Sequence, residues 1–395
     1  SNSLQANTTA SNNTAVGFQA LNANTTAANI TAVGCGALED NTIGDQNTAV
    51  GGTALGDNTE GEYNAAFGYN ALRKNTTADH NSAFGYYALA CNTTASDNTA
   101  VGCGALRANT TGNFNTGLGT STLLVNQTGI CNLAIGTSAL RCNTGSNNIA
   151  VGVQPLYYNT SGTNNTALGT KALFCNTSAD NNTSVGYNTL RSNTAGNNTA
   201  LGSCALFANT TGNTITSIGF ESLITNTTAH ANTAVGGYTL KLSTTGGYNT
   251  AMGNEALCSN TTGETNVAMG FRSLKSNTTA SNNTAIGKSA LCSNTTGAQN
   301  TAIGCGAGCA VTAGGNNTMI GNQAGTSASP FTVTDATTNH RVVIGNSNVS
   351  NAYIQVAWTV TSDLRDKTNF GTVPHGLDFV SKLEPVSFQF KKSRE

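Results

Sequence analysis

Charge is scarce in this sequence: 9% of its residues are Asp, Glu, Lys or Arg, and the formal net charge is -1. No basic stripe is available to neutralise a phosphate backbone, so nucleic acid is not an expected partner. Long apolar runs are missing too. The first residues, SNSLQANTTA, carry neither a basic segment nor an apolar core, so neither membrane insertion nor a signal peptide is expected. The chain starts in mid-repeat and without Met, which leads us to expect a longer protein upstream. His80, His230, His340 and His375 occupy unrelated positions and form no cluster, as surface histidines do. Low charge with modest hydrophobicity is typical of disordered chains, but what is present is too regular for disorder.

A glycine preceded by an apolar residue returns nineteen times from Gly17 to Gly321, at intervals of 17 residues broken twice by 16. Such a chain is one unit copied head to tail, and its length is extension rather than several globular domains. Aligned on the glycine, the unit reads N-T-A-V-G-x-x-A-L-x-x-N-T-T-G-x-x, as in Asn98 to Gly112. Leucine stands four residues after the glycine without a break from Leu21 to Leu291. Short β-branched segments bounded by Asn and Gly favour strands over helices. We therefore expect two short strands and a turn per copy, stacked as a parallel ladder spanning roughly 90 Å at ~4.8 Å per layer. Asn24, Asn41, Asn58 and their successors form one column, and Asn47, Asn64, Asn81 and theirs another, where side-chain amides can bond along the stack. The same period generates the Asn-x-Thr/Ser sequons, so they do not specifically indicate glycosylation.

Successive strand residues point to opposite faces, yet Ala100 and Val101 are both apolar, as are Ala105 and Leu106. Both faces are then expected to be buried. One coil has one inside, so the second face calls for sister chains, most simply a parallel homotrimer. Gln19, Arg73, Lys74, Arg107, Lys171, Glu221 and Lys275 mark the solvent face. The fold class expected is all-β: an elongated β-solenoid or β-roll, or a triple β-helix, of 17-residue units.

Eleven cysteines invite a disulfide or metal reading. Cys35, Cys103 and Cys305 share a column several layers apart, and Cys91, Cys142 and Cys175 share another. Cys258 and Cys292 lie two layers apart, roughly 10 Å and beyond disulfide reach. Cys305 and Cys309 have no His or Cys partners at zinc-like spacing. Free thiols filling small positions are expected, with no metal and no cofactor.

The NTAVGxxAL unit resembles the head repeats of trimeric autotransporter adhesins, which wind a β-roll in a trimer, and repeat regions of phage and large-virus tail fibres. The period differs from the adhesin heads, which leaves open whether each chain forms its own coil or three interleave. Repeated Thr columns also resemble ice-binding solenoids, although here Thr alternates with Asn at turns.

The period fails after Gly321. We assign 1–325 to the repeat shaft, 326–361 to a Ser, Thr and Ala-rich connector with a β-rich neck (HRVVIGN, AYIQVAWTV), and 362–395 to a charge-rich terminal segment. Ser362, Asp363, Arg365, Lys367, Asn369, Gly376, Leu377, Asp378, Leu383, Pro385, Val386 and Phe388 resemble the start of the endosialidase-type intramolecular chaperone of phage tailspikes and fibres. That family's module continues into a longer, partly helical region. The resemblance implies trimerisation of the preceding fibre, then self-cleavage at Thr361-Ser362 with Ser362 as nucleophile and Lys367 as base. A serine hydroxyl needs such a base, and a lysine serves only when desolvation or neighbouring charge lowers its pKa. No activity on an external substrate is expected, because the repeats contain no carboxylate pair or Ser-His constellation. The implied protein is a fibre or spike shaft on a virion surface, outside the cell. Its expected partners are itself, other tail components and a host-surface glycan or protein, bound with avidity. The alternative is a bacterial trimeric adhesin head; an ice-binding solenoid is a minor one.

Overall fold

A computed structural model of the chain describes residues 2–326 and 339–351. Among them every regular element is a β-strand of three residues, twenty in all, from β1 (Thr14–Val16) and β2 (Thr31–Val33) to β19 (Thr318–Ile320) and β20 (Val342–Ile344). Each strand pairs in parallel with the next copy of itself, Thr14 with Thr31, Ala15 with Ala32 and Val16 with Val33. The partner is always in the same chain, one period away. The fold is thus a β-solenoid in which each chain winds its own coil, and the interleaved triple helix is set aside. Where the period drops to 16 the register survives, with Leu133 opposite Ile149 and Thr183 opposite Thr199. The missing residue comes out of the Asn-Thr-Thr turn, which reads Asn143-Thr144-Gly145 in the shorter coil.

One strand per copy replaces the two expected. The second apolar pair, Ala105 and Leu106, does not alternate between faces, because both are fully buried in the one interior. The seventeen leucines from Leu21 to Leu291 hold φ between 48° and 53°, the left-handed region. Each closes a corner and points its side chain inward. The left-handed backbone costs roughly 1–2 kcal/mol per residue; burying a leucine returns about 1.5–3 kcal/mol. Burial therefore wins, helped by a backbone bond such as Leu38 N–H to the Ala54 carbonyl at 3.0 Å. Periodicity alone does not distinguish such a corner from a strand.

The two asparagine columns are buried and bonded layer to layer. In the first, the amide of Asn75 donates to Asn58 Oδ1 at 2.8 Å and to the Ala78 carbonyl at 2.9 Å. In the second, the backbone N–H of Asn81 donates to Asn64 Oδ1 at 3.0 Å, and its side-chain amide donates to the Ala95 carbonyl at 2.9 Å. A third ladder runs along threonine hydroxyls, as from Thr42 to the Thr59 carbonyl at 3.0 Å. A coil this small cannot bury its corners in hydrocarbon alone, so amides satisfy the turn carbonyls from inside.

The glycine column has a steric cause. Its φ values lie between 108° and 143°, and a Cβ on Gly169 would stand 2.5 Å from the Gly186 carbonyl oxygen. Only glycine lets consecutive backbones approach so closely.

Among the described residues of the 326–361 segment, the ladder gains one further rung. The step from β19 to β20 is 24 residues, with Thr318 opposite Val342 and Ile320 opposite Ile344. The N–H of Arg341 donates to Asn317 Oδ1 at 3.0 Å, continuing the second amide ladder. Ser1–Val349 forms one compact unit and Ser350–Glu395 a second. Of the second, only Ser350 and Asn351 are among the described residues.

Replacing Gly169 by alanine is expected to cost roughly 1–3 kcal/mol from the backbone conformation alone, before the interlayer clash. Gly237→Ala is the control, since its Cβ would meet a side-chain amide, Asn254 Nδ2, at 3.1 Å. Asn176→Ala, which strands Asn159 Oδ1 and leaves the Ala179 carbonyl with Asn165 alone, is expected to cost about 1–3 kcal/mol. Thermal unfolding of the three variants beside the parent checks both, and equal midpoints would refute the packing account.

Candidate assembly surface

In each strand the middle residue points inward and its neighbours outward. Ala32, Ala100, Ala200 and Ala302 are fully buried, while the residue before each glycine faces out. That outward column runs from Val16 to Ile344 and contains only Val, Phe, Leu, Ile and Met. Ile286, Ile303 and Ile320 are 37–40% exposed, and Phe67 stacks on Phe84 with centroids 4.8 Å apart. Even at ~50 Å² apiece, twenty such side chains expose on the order of 1,000 Å², above the roughly 300–600 Å² of the largest patch on a typical monomer. Of the two faces expected to be buried at Ala100 and Val101, one is: the alanine fills the coil, while the valine lies outside it and is 40% exposed in the single chain. For Ala105 and Leu106 the expectation of two faces fails, for the corner geometry given above.

The charged positions expected on the solvent side are exposed or partly exposed, Arg73, Lys74 and Arg107 among the exposed ones. Some pair across layers. Glu221 meets Lys241 at 2.9 Å, and Glu255 meets Lys275 at 2.7 Å and Arg272 at 2.9 Å. Hydrogen bonds from Lys275 and then Arg272 hold the Glu255 carboxyl below its ordinary pKa. The histidines remain apart: His80 stacks on Tyr63, His230 meets Asn213 Oδ1 at 2.9 Å, and His340 meets Asn316 at 2.7 Å. His375 lies outside the described residues.

Among the described residues no group of three or more His, Cys, Asp or Glu is placed to hold a metal ion. The thiols bring one correction. Cys292 and Cys309 form a disulfide across 17 residues, with Cα atoms 5.0 Å apart. The expectation of free thiols therefore fails for Cys292 and Cys309, which stand one layer apart. Counting from the glycine register would have found the bridge, because both cysteines stand five residues after a column glycine, Gly287 and Gly304. Adjacent layers bring equivalent Cα atoms within disulfide range. Nine other cysteines are free, and burial pushes the Cys258 thiol pKa up. Peptide mapping without reductant should recover the segments holding Cys292 and Cys309 as one linked species; separate alkylated peptides would exclude the bridge.

Thr361, Ser362 and Lys367, the residues expected at the processing site, lie outside the described residues. The neck sequence AYIQVAWTV does too. A family of known proteins covers the terminal segment: residues 362–395 match the chaperone of endosialidase. No curated protein matches the chain.

Proposed function

We propose that the chain is the shaft of a viral tail fibre of the phage type, which works as a parallel homotrimer on the virion surface and attaches to a host surface. The observation that carries this reading is the apolar column outside the coil, in register from Val16 to Ile344. A column of one chemistry along a straight ladder fits a copy of itself, and cyclic closure of three chains buries it without leaving an open edge. The match of residues 362–395 to the endosialidase chaperone supports the viral setting over a bacterial adhesin head. Three parallel shafts present every surface feature in triplicate, so weak contacts sum by avidity.

In this reading the terminal segment assembles the trimer and then separates. Lys367 takes the proton of the Ser362 hydroxyl as Oγ attacks the Thr361 carbonyl. The Thr361-Ser362 amide breaks, its nitrogen gains a proton, and water hydrolyses the resulting ester. Release after assembly makes the folded fibre kinetically irreversible.

Two measurements test the proposal. Light scattering of the full chain should give three times the chain mass, and a Met252→Arg/Ile286→Arg variant should fall to one; a monomeric parent would remove the fibre reading. Denaturing electrophoresis should show a shortened parent chain and an uncut Ser362→Ala chain. Two uncut bands would remove self-cleavage and leave the fibre in place.

A further inference from the structure

The residue after each core leucine lies just beyond the left-handed corner. From the sixth coil to the twelfth this column reads Arg107, Leu124, Arg141, Tyr157, Phe174, Arg191 and Phe207. The aromatic and cationic side chains lie on one another. Tyr157 stacks on Phe174 at 5.4 Å, Arg141 lies 5.5 Å over Tyr157, and Arg191 lies 5.7 Å over Phe174 and 5.5 Å over Phe207. Lys171, one corner earlier in its coil, places its ammonium 5.8 Å over Phe174. At the N-terminal end of this ladder, Arg107 lies 4.9 Å over Tyr87, beside a concavity of about 270 Å³ lined also by Tyr86 and Leu124.

These cations are not neutralised. Between Asp97 and Glu221 the sequence holds Arg107, Arg141, Lys171 and Arg191 against one acid, Asp180. Asp180 is engaged elsewhere, accepting from the Thr163 backbone at 2.6 Å and hydroxyl at 3.0 Å. Three cations farther along, Lys241, Arg272 and Lys275, do have carboxylate partners. Arg191 Nε is buried without a hydrogen-bond partner and Arg141 Nη1 donates to the Tyr157 hydroxyl at 3.1 Å, while the remaining Nη groups of a stacked guanidinium can still bond a carboxylate or sulfate.

We infer that this face binds a linear acidic polysaccharide laid along the solenoid axis. Tyr86, 55% exposed beside Arg107, and Tyr158, 46% exposed against Tyr157 and Phe174, give sugar rings a flat apolar platform, and the guanidinium groups held by the stacked rings take the acid groups. Arg107 and Arg141 are two layers apart, ~10 Å, and the run from Arg107 to Arg191 covers about 24 Å. A duplex nucleic acid would bring about 14 phosphate charges over that length, far more than four cations meet. A polysaccharide with one acid group per one or two sugars brings a comparable number. The inference deepens the attachment reading, on which it rests for its biological setting, by naming the receptor class.

The test measures binding of the full chain to four probes: polygalacturonate, dextran sulfate, neutral dextran and polyglutamate. Binding to one or both acidic polysaccharides, weakened by salt, is expected, and the stronger of the two tells carboxylate from sulfate. Arg141→Gln/Arg191→Gln should bind at least about tenfold more weakly. Phe174→Leu should also weaken binding, while Lys288→Gln, far along the shaft, should not. Thermal melting and scattering mass are measured on every sample. Unchanged binding by a folded double-arginine variant would overturn the site, as would polyglutamate bound as tightly as the polysaccharides. A monomer that binds acidic polysaccharide through Arg141 and Arg191 would overturn the fibre reading alone.

Discussion

Strict register between neighbouring coils is the constraint on which everything else in this molecule depends. Each coil contacts only the one before and the one after it, so the whole shaft repeats a single interface. That interface has little hydrocarbon in it: a leucine and one or two alanines in most coils, such as Ala100, Ala105 and Leu106. Stability comes instead from bonds whose donors and acceptors coincide only when the coils are in step. An asparagine amide one layer out of place would leave buried polar groups unpaired, at about 1–3 kcal/mol each. The glycine column enforces the same spacing sterically, since Gly169 and Gly186 approach as no pair with side chains can.

Register also determines what the surface can present. Once every coil is in step, any residue type repeated at one position becomes a line along the axis. The outward Val, Phe, Ile and Met column is one such line, and the asparagine amides are another on the inside. A local run at one position, as from Arg141 through Phe207, becomes a local patch a few coils long. Surface chemistry is thereby written in one dimension, and the core does not change where the patch changes.

Much of this was legible in the sequence. The period, the strand at T-A-V, the amide ladders and the outward valine all follow from residue types at fixed spacing. The corner leucine was not legible, because an apolar residue next to alanine reads as strand when the left-handed conformation it adopts leaves no mark in composition. The Cys292-Cys309 bridge was legible in principle and was hidden by the loss of the leucine landmark at Gly308. The chemistry expected of Ser362 and Lys367 rests on resemblance, now joined by a match over the same residues. The aromatic and arginine ladder needed coordinates, since its members are unremarkable until layers bring them face to face.

The uneven steps carry one more consequence. A residue is missing from the turn at Asn143, and 24 residues separate equivalent positions between β19 and β20, yet the rungs on either side stay aligned. The axis therefore tolerates variation in contour length, provided that the extra or missing chain leaves and rejoins at the same corner. A lineage carrying such a scaffold could lengthen it by duplicating whole coils, or hang new sequence from a single turn, without redesigning what lies underneath.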